Sequence, residues 1–120
     1  MIRKNSRILN ENAASWVVKR DKEIYLKVIE DTLRQIPVLQ ERSDKAIQED
    51  DHELLKKCCH TLRTTLKIIG ALEAYQAATS LAEAAAAHQP VRIRTRYQKL
   101  NEALDRLKEH IELAMDRFGD

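Results

Sequence analysis

One histidine, His60, stands among four cations, Lys56, Lys57, Arg63 and Lys67, within a single short stretch. At about 100° per residue a helix would gather Leu55, Cys58, Leu62, Leu66 and Ile69 within roughly 40° of one line, and that line is the expected buried face. His60 falls roughly 160° from it, near the middle of the wet face. Lys56 and Lys67 flank the same sector, Lys57 sits on its other side, and Arg63 lies at its edge. Packing fills most positions of an amphipathic helix, but an outward histidine amid lysine and arginine answers no packing need.

Imidazole is a nitrogen nucleophile, and its neutral form keeps one ring lone pair free. Cations around such a ring disfavour its charged form and attract a phosphoryl group. Each exposed contact of this kind is worth only ~0.2–1 kcal/mol, so the cations orient an anion without trapping it. That suits a residue that receives a phosphoryl group and passes it on.

The run His60-Thr61-Leu62-Arg63, followed by Gly70-Ala71, resembles the signature of histidine-containing phosphotransfer (HPt) domains. Those domains carry an active His, a Leu two residues on, Lys or Arg three on, and Gly-Ala ten and eleven on. The resemblance implies that His60 is the phosphoacceptor and that Arg63 steadies the phosphoryl group. Lys67 matches a position that is sometimes basic in the family, and Gly70 marks the tight end of the active helix. The resemblance also implies the partners: receiver domains of response regulators or of a hybrid histidine kinase. One receiver gives its aspartyl phosphoryl group to His60, and another takes it away. Magnesium for such transfers would belong to the receiver, since no carboxylate cluster beside His60 offers to hold it. Lys56, Lys57, Arg63 and Lys67 would complement an acidic receiver surface, and Ile68, about 120° from the core line, would add an apolar rim.

The chain departs from the pattern at Thr64, where the family usually has Gly or another very small residue. That position lies one turn from His60 on the same face, where a partner presses close, and a β-branched side chain adds bulk there. A module that docks a receiver or kinase without transfer is therefore the alternative to a relay. Arg at position 63 keeps the charge of the more usual Lys while changing its geometry.

The elements that must position His60 are helical. With two Gly and two Pro in 120 residues, and Ala, Leu, Glu, Lys and Arg abundant, breakers are few. Residues 1–9 read as a flexible start, and 10–120 as a single domain with one core. Asn10 to Lys19 reads as a short helix in which Trp16 lids one end. Asp21 caps a long helix to about Gln48, with Tyr25, Val28, Ile29, Leu33, Ile36, Leu39 and Ile47 inward. Pro37 interrupts it, but the apolar register continues, so a kink is expected rather than a break. Asp50 with Glu53 resembles a capping box that starts the His60 helix, and Gly70 stops it. Ala71 to His88 forms the next helix, with Leu72, Tyr75, Ala78, Leu81 and Ala85 inward. Gln89-Pro90 breaks the chain before a last helix from about Arg92 to Phe118. There Tyr97, Leu100, Leu104, Leu107, Ile111, Met115 and Phe118 recur at steps of three and four. Four long stripes predict an all-α, antiparallel up-and-down four-helix bundle with a short N-terminal helix.

Composition excludes several classes. The formal net charge is only +2, so no global field points to nucleic acid. No apolar run approaches the ~20 residues of a membrane span. The basic start lacks the apolar stretch of a signal peptide. Adjacent Cys58 and Cys59 would diverge on a helix, so no disulfide is expected, and a reduced, cytoplasmic setting is the default, either alone or as part of a larger sensor. Cys58 reads as core and Cys59 as boundary; with His52 they supply too few ligands for a zinc site. His52, His88 and His110 have no matching company. Arg92, Arg94 and Arg96 read as a solvated helix start. Neither a Gly-rich phosphate loop nor a Ser/His/Asp arrangement is present, so no autonomous kinase or hydrolase is expected, and a phosphoryl carrier is what the HPt resemblance implies. Monomer is the expected state, because each stripe can be satisfied within one bundle.

Overall fold

The computed structural model describes residues 7–9 and 21–118, apart from the side chains of Lys22 and of 114–118. The short helix expected over Asn10–Lys19, with Trp16, lies outside the described residues, as do the side chains of Met115 and Phe118. The described residues form four helices: α1 (Lys22–Gln48), α2 (His52–Ile69), α3 (Leu72–Ala86) and α4 (Pro90–Phe118). Each packs on its neighbour in the chain, and α1 also packs on α4.

Cross-helix contacts give the direction of each pair. Arg63 meets Tyr75 and His52 meets His88 across α2 and α3. Arg106 meets Glu73 and Arg96 meets Glu83 across α3 and α4. Gln40 meets Asn101 and Asp44 meets Tyr97 across α1 and α4. In every pair the numbers rise along one helix as they fall along the other, so the bundle is antiparallel and up-and-down.

The stripes anticipated from spacing make one core. Ile29, Ile36, Leu55, Leu66, Ile69, Leu81, Leu100, Leu104, Leu107 and Ile111 are almost wholly buried. Burying each such side chain is worth about 1.5–3 kcal/mol. Leu72 was expected inward but is 37% exposed, because α3 turns Ala74 to the core instead, in line with the expected Ala78. Their small side chains, with Ala84 and Ala85, let the neighbouring backbones approach closely. Two polar residues also lie in the core, Thr32 and Ser43. Their hydroxyls donate to the carbonyls of Val28 and Leu39, both at 2.7 Å, so neither buried group is orphaned.

Helix ends follow a common device. Asp21 caps α1 through its carboxylate, which accepts from the backbone N–H groups of Glu23 and Ile24. α1 then runs through Pro37 as one helix. The cap of α2 is Asp51, not the expected Asp50: its Oδ1 accepts from Leu54 N at 3.1 Å. Asp50 matches a capping box through Glu53, but the helix begins one residue later, so the carboxylate that reaches the N–H of Leu54 is that of Asp51. Asp50 instead takes a left-handed conformation, as do Gly70 and His88. At each, two N–H groups fold back onto the preceding helix. Those of Asp50 and Asp51 reach Ile47 and Ala46, those of Gly70 and Ala71 reach Lys67 and Leu66, and those of His88 and Gln89 reach Ala85 and Ala84. This is the Schellman pattern, which satisfies carbonyls that a helix end leaves free. The last helix begins at Pro90 rather than Arg92; a proline suits the first helical position because its missing N–H has no partner there anyway.

Two further ties fix the end of the bundle near Gly70. The Tyr25 hydroxyl donates to the carbonyl of Ile69 at 2.9 Å. The Arg7 carbonyl accepts from Glu73 N at 2.6 Å, capping α3, whose own cap residue Ala71 has no polar side chain. Ile8 beside it is buried, so residues 7–9 are docked although a flexible start was expected over 1–9.

Gly70 has φ 82°, a region that is unfavourable for any residue with a Cβ, and it is buried. Gly70→Ala is expected to destabilise the fold by about 1–2 kcal/mol without changing its helix content. Urea unfolding followed by circular dichroism measures this; an unchanged midpoint would contradict the assigned turn.

Candidate functional site

α2 presents two faces of opposite character. Leu55, Cys58, Cys59, Leu62, Leu66 and Ile69 are buried. His60 is exposed, with Lys57, Thr64 and Lys67 exposed around it and Lys56 and Arg63 half-buried. The expected exposure of His60 is thus what the helix produces. The apolar stripe is satisfied by α1 and α3, and its opposite side is left to solvent.

Among the described residues, the cations of this face are mostly uncompensated. Lys56 pairs with Glu53 at 3.8 Å along its own helix, an exposed pair that is worth little. Among the described residues, Lys57, Arg63 and Lys67 form no ion pair with a carboxylate. Arg63 instead leans across to α3. Its Nη2 donates to the Tyr75 hydroxyl at 3.4 Å, and its Cζ lies 5.4 Å from the centre of the Tyr75 ring. Its Nε is shut off from solvent and has no partner among the described residues. The guanidinium pulls the Tyr75 phenol below its ordinary 10.0, first through the hydrogen bond and then through its charge, with Lys67 adding to the charge effect. Arg63, Lys67 and Tyr75 therefore form one electrically coupled corner beside His60.

The hydroxyl of Thr64 donates to the His60 carbonyl at 3.1 Å. Thr61 and Thr65 donate in the same way to Lys57 and Thr61. Each hydroxyl is turned onto the backbone, so Thr64 adds bulk to the face without a free donor. Ile68, expected as an apolar rim, is half-buried and packs against the core, which leaves only part of it for a partner. Gly70 and Ala71 are both buried and shape the turn rather than the surface.

The cysteines belong to the interior. Cys59, expected at the boundary, has no exposed surface, and Cys58 is buried too. Burial pushes the Cys59 thiol from its ordinary 9.0 to about 12, with Cys58 adding to the rise and Arg63 opposing it. A thiol so placed stays protonated and is a poor ligand or nucleophile. Among the described residues no group of three or more His, Cys, Asp or Glu is arranged to hold a metal ion.

The other histidines are not as isolated as their spacing suggested. His52 opens α2 and His88 follows α3, and their Nδ1 atoms lie 2.6 Å apart. The ring centres are 4.9 Å apart, close to the greatest separation such an Nδ1 distance permits, so the nitrogens meet nearly head-on. One ring donates and the other accepts, which requires opposite tautomers or one shared proton. His110 is half-buried, with Nδ1 at 3.2 Å from the Arg106 carbonyl. Of the three arginines at the start of α4, Arg92 and Arg94 are exposed as expected. Arg96 is occupied: its Nη1 donates to the Ser80 carbonyl at 2.8 Å.

Sequence reasoning placed Tyr75 on the inner stripe and missed its contact with Arg63. The available signal was the antiparallel turn at Gly70, which folds positions 63 and 75 to similar heights. Compared with protein-family models, with curated proteins and with solved structures, the chain matches none. Among the described residues no helix is long and apolar enough to cross a membrane.

A raised thiol stabilises the fold only while it keeps its proton. That contribution is whole below the unfolded value near 9.0 and is lost as pH climbs towards about 12. Wild type should therefore lose stability over this range faster than Cys59→Ala, which has no thiol there to titrate. Denaturant midpoints of both proteins between pH 8 and pH 11, values spanning the onset of that range, provide the measurement, and parallel curves would contradict it.

Proposed function

We propose that this chain is a histidine phosphotransfer module of a phosphorelay, with His60 as the phosphoacceptor. The observation that carries the reading is the exposed His60 on α2, ringed by Lys57, Arg63 and Lys67, none of which is neutralised by a carboxylate among the described residues. The resemblance of His60-Thr61-Leu62-Arg63 with Gly70-Ala71 to HPt domains supports it, as does the four-helix bundle.

In the proposed step, a lone pair of neutral His60 attacks the phosphorus of a receiver's aspartyl phosphate. The P–O bond to the aspartyl carboxylate breaks, and that carboxylate leaves with the electron pair. The ring becomes a phosphoimidazolium, whose remaining N–H loses its proton to water. A second receiver's aspartate reverses the sequence. The chain's own contribution is electrostatic: Arg63 and Lys67 meet the phosphoryl oxygens as the group transfers. Lys56 and Lys57 draw in the acidic rim of the receiver, an effect on encounter rate that salt weakens. Magnesium, in this reading, stays with the receiver. The module works in the cytoplasm as a monomer.

Transfer from radiolabelled phospho-receivers tests the reading. Wild type should take up alkali-stable, acid-labile label, and His60→Gln should take up none. A folded wild type that binds receivers but accepts no label would leave only a docking role.

Thr64 supplies a second test. Its bulk beside His60 should slow docking, so Thr64→Gly is expected to accept label faster than wild type, with a stability loss of roughly 0.3 kcal/mol from the glycine. Equal rates would show that position 64 does not limit transfer.

A further inference from the structure

We infer that Tyr75 is the positioning residue of this site: it holds the Arg63 guanidinium at the Gly70 end of His60, where the remaining N–H donors of Arg63 can meet the oxygens of a phosphoryl group. The inference rests on the proposed role of His60 and adds a residue that the signature of that role does not contain.

Three observations carry it. First, Arg63 has a long side chain with many rotamers, yet it is held at two points of one residue, the Tyr75 hydroxyl and the Tyr75 ring. Second, Tyr75 is a neutral partner. A carboxylate in its place would cancel the charge of Arg63; a phenol and an aromatic ring fix a guanidinium while leaving its charge available to an anion. Third, the contact uses one N–H of Nη2, and Nε is shut off from solvent, so the N–H groups of Nη1 and the second N–H of Nη2 are the ones left. Those donors of the planar guanidinium fork remain for an oxyanion.

Tyr75 comes to this place through the turn. It stands in the first turn of α3, and Arg63 lies in the half of α2 nearer Gly70. The left-handed Gly70 reverses the chain between them, and Tyr25 holds the Ile69 carbonyl at the same corner. Tyr75 is half-buried and packs against the core, so its ring is a firm platform rather than a mobile surface side chain.

Phosphoramidate tests the inference without a receiver. A ring nitrogen of His60 attacks phosphorus and the P–N bond of the donor breaks. Ammonia leaves with the bonding pair and takes up the proton released by the imidazole. Rates would be measured against donor concentration for wild type, Arg63→Ala, Tyr75→Phe, Tyr75→Leu and the Arg63→Ala/Tyr75→Leu double variant. Tyr75→Leu should raise KM for phosphoramidate several-fold, and Tyr75→Phe, which keeps the ring and loses the hydroxyl, should raise it less. The double variant should be no worse than Arg63→Ala alone, because Tyr75 acts only through Arg63.

A second readout does not depend on phosphorylation. The Tyr75 phenol, followed by NMR of 13C-labelled tyrosine, should titrate at higher pH in Arg63→Ala than in wild type. An unmoved titration, a folded Tyr75→Phe and Tyr75→Leu with wild-type KM, or losses that multiply in the double variant would each overturn the inference. Wild type that takes no phosphoryl group at His60 would overturn the role of His60 itself, and this inference with it. Wild type that is labelled while the Tyr75 variants match it would overturn the positioning role alone.

Discussion

The turn at Gly70 is the constraint on which the site depends. Its left-handed backbone sends α3 back along α2, and the N–H groups of Gly70 and Ala71 close the free carbonyls of Lys67 and Leu66. Everything local follows from that reversal. Tyr75 is carried to the height of Arg63, and His88 arrives at His52 at the far end of the same hairpin. Tyr25 adds a bond from α1 to the Ile69 carbonyl, so three helices meet at the corner that ends the helix of the candidate phosphoacceptor. The same backbone device recurs at Asp50 and His88, but those residues bear a Cβ and hold their left-handed conformation at some strain. Gly70 alone is free of it, and Gly70 is the turn nearest to His60.

A second physical contrast sets the chemistry. One side of α2 is dry and supplies the cohesion of the bundle, with Leu55, Leu62, Leu66 and Ile69 nearly closed to solvent. The other is wet and cationic, and among the described residues its charges are not spent on ion pairs, Lys56 excepted. Two arginines elsewhere in the bundle are consumed by structure: Arg106 by Glu73, and Arg96 by Ser80 and Glu83. Arg63 differs in being held by a phenol, which leaves its charge uncancelled. In the proposed reading that difference is functional, since a relay residue needs cations that orient a phosphoryl group without trapping it.

Much of this was legible in the sequence because helix periodicity is a strong signal. The stripe Leu55, Cys58, Leu62, Leu66, Ile69 and the outward His60 followed from angle alone, and Gly70 was readable as a stop. The expectations that changed depended on contacts between helices or on a one-residue register. Leu72 looked inward by period, but small Ala74, on the line of the expected Ala78, lies closer to the packing line. The cap fell to Asp51 rather than Asp50 because the reach of a carboxylate to Leu54 N is fixed by the helix start. Cys59 sits deeper than a single-helix projection gave, since flanking helices cover both sides of the stripe. The His52–His88 pair and the Arg63–Tyr75 contact were invisible to motif reasoning, because each joins residues whose proximity exists only once the hairpin has closed.

The role proposed for His60 is to accept a phosphoryl group on its imidazole. The most direct measurement is phosphorus-31 NMR of the intact chain after exposure to a phosphorylated receiver and magnesium. The expected spectrum holds a phosphorus–nitrogen resonance that couples to the His60 ring, disappears on mild acid treatment and returns phosphate. A spectrum with no protein-bound phosphorus, or with phosphorus on a hydroxyl or on another histidine, would contradict it.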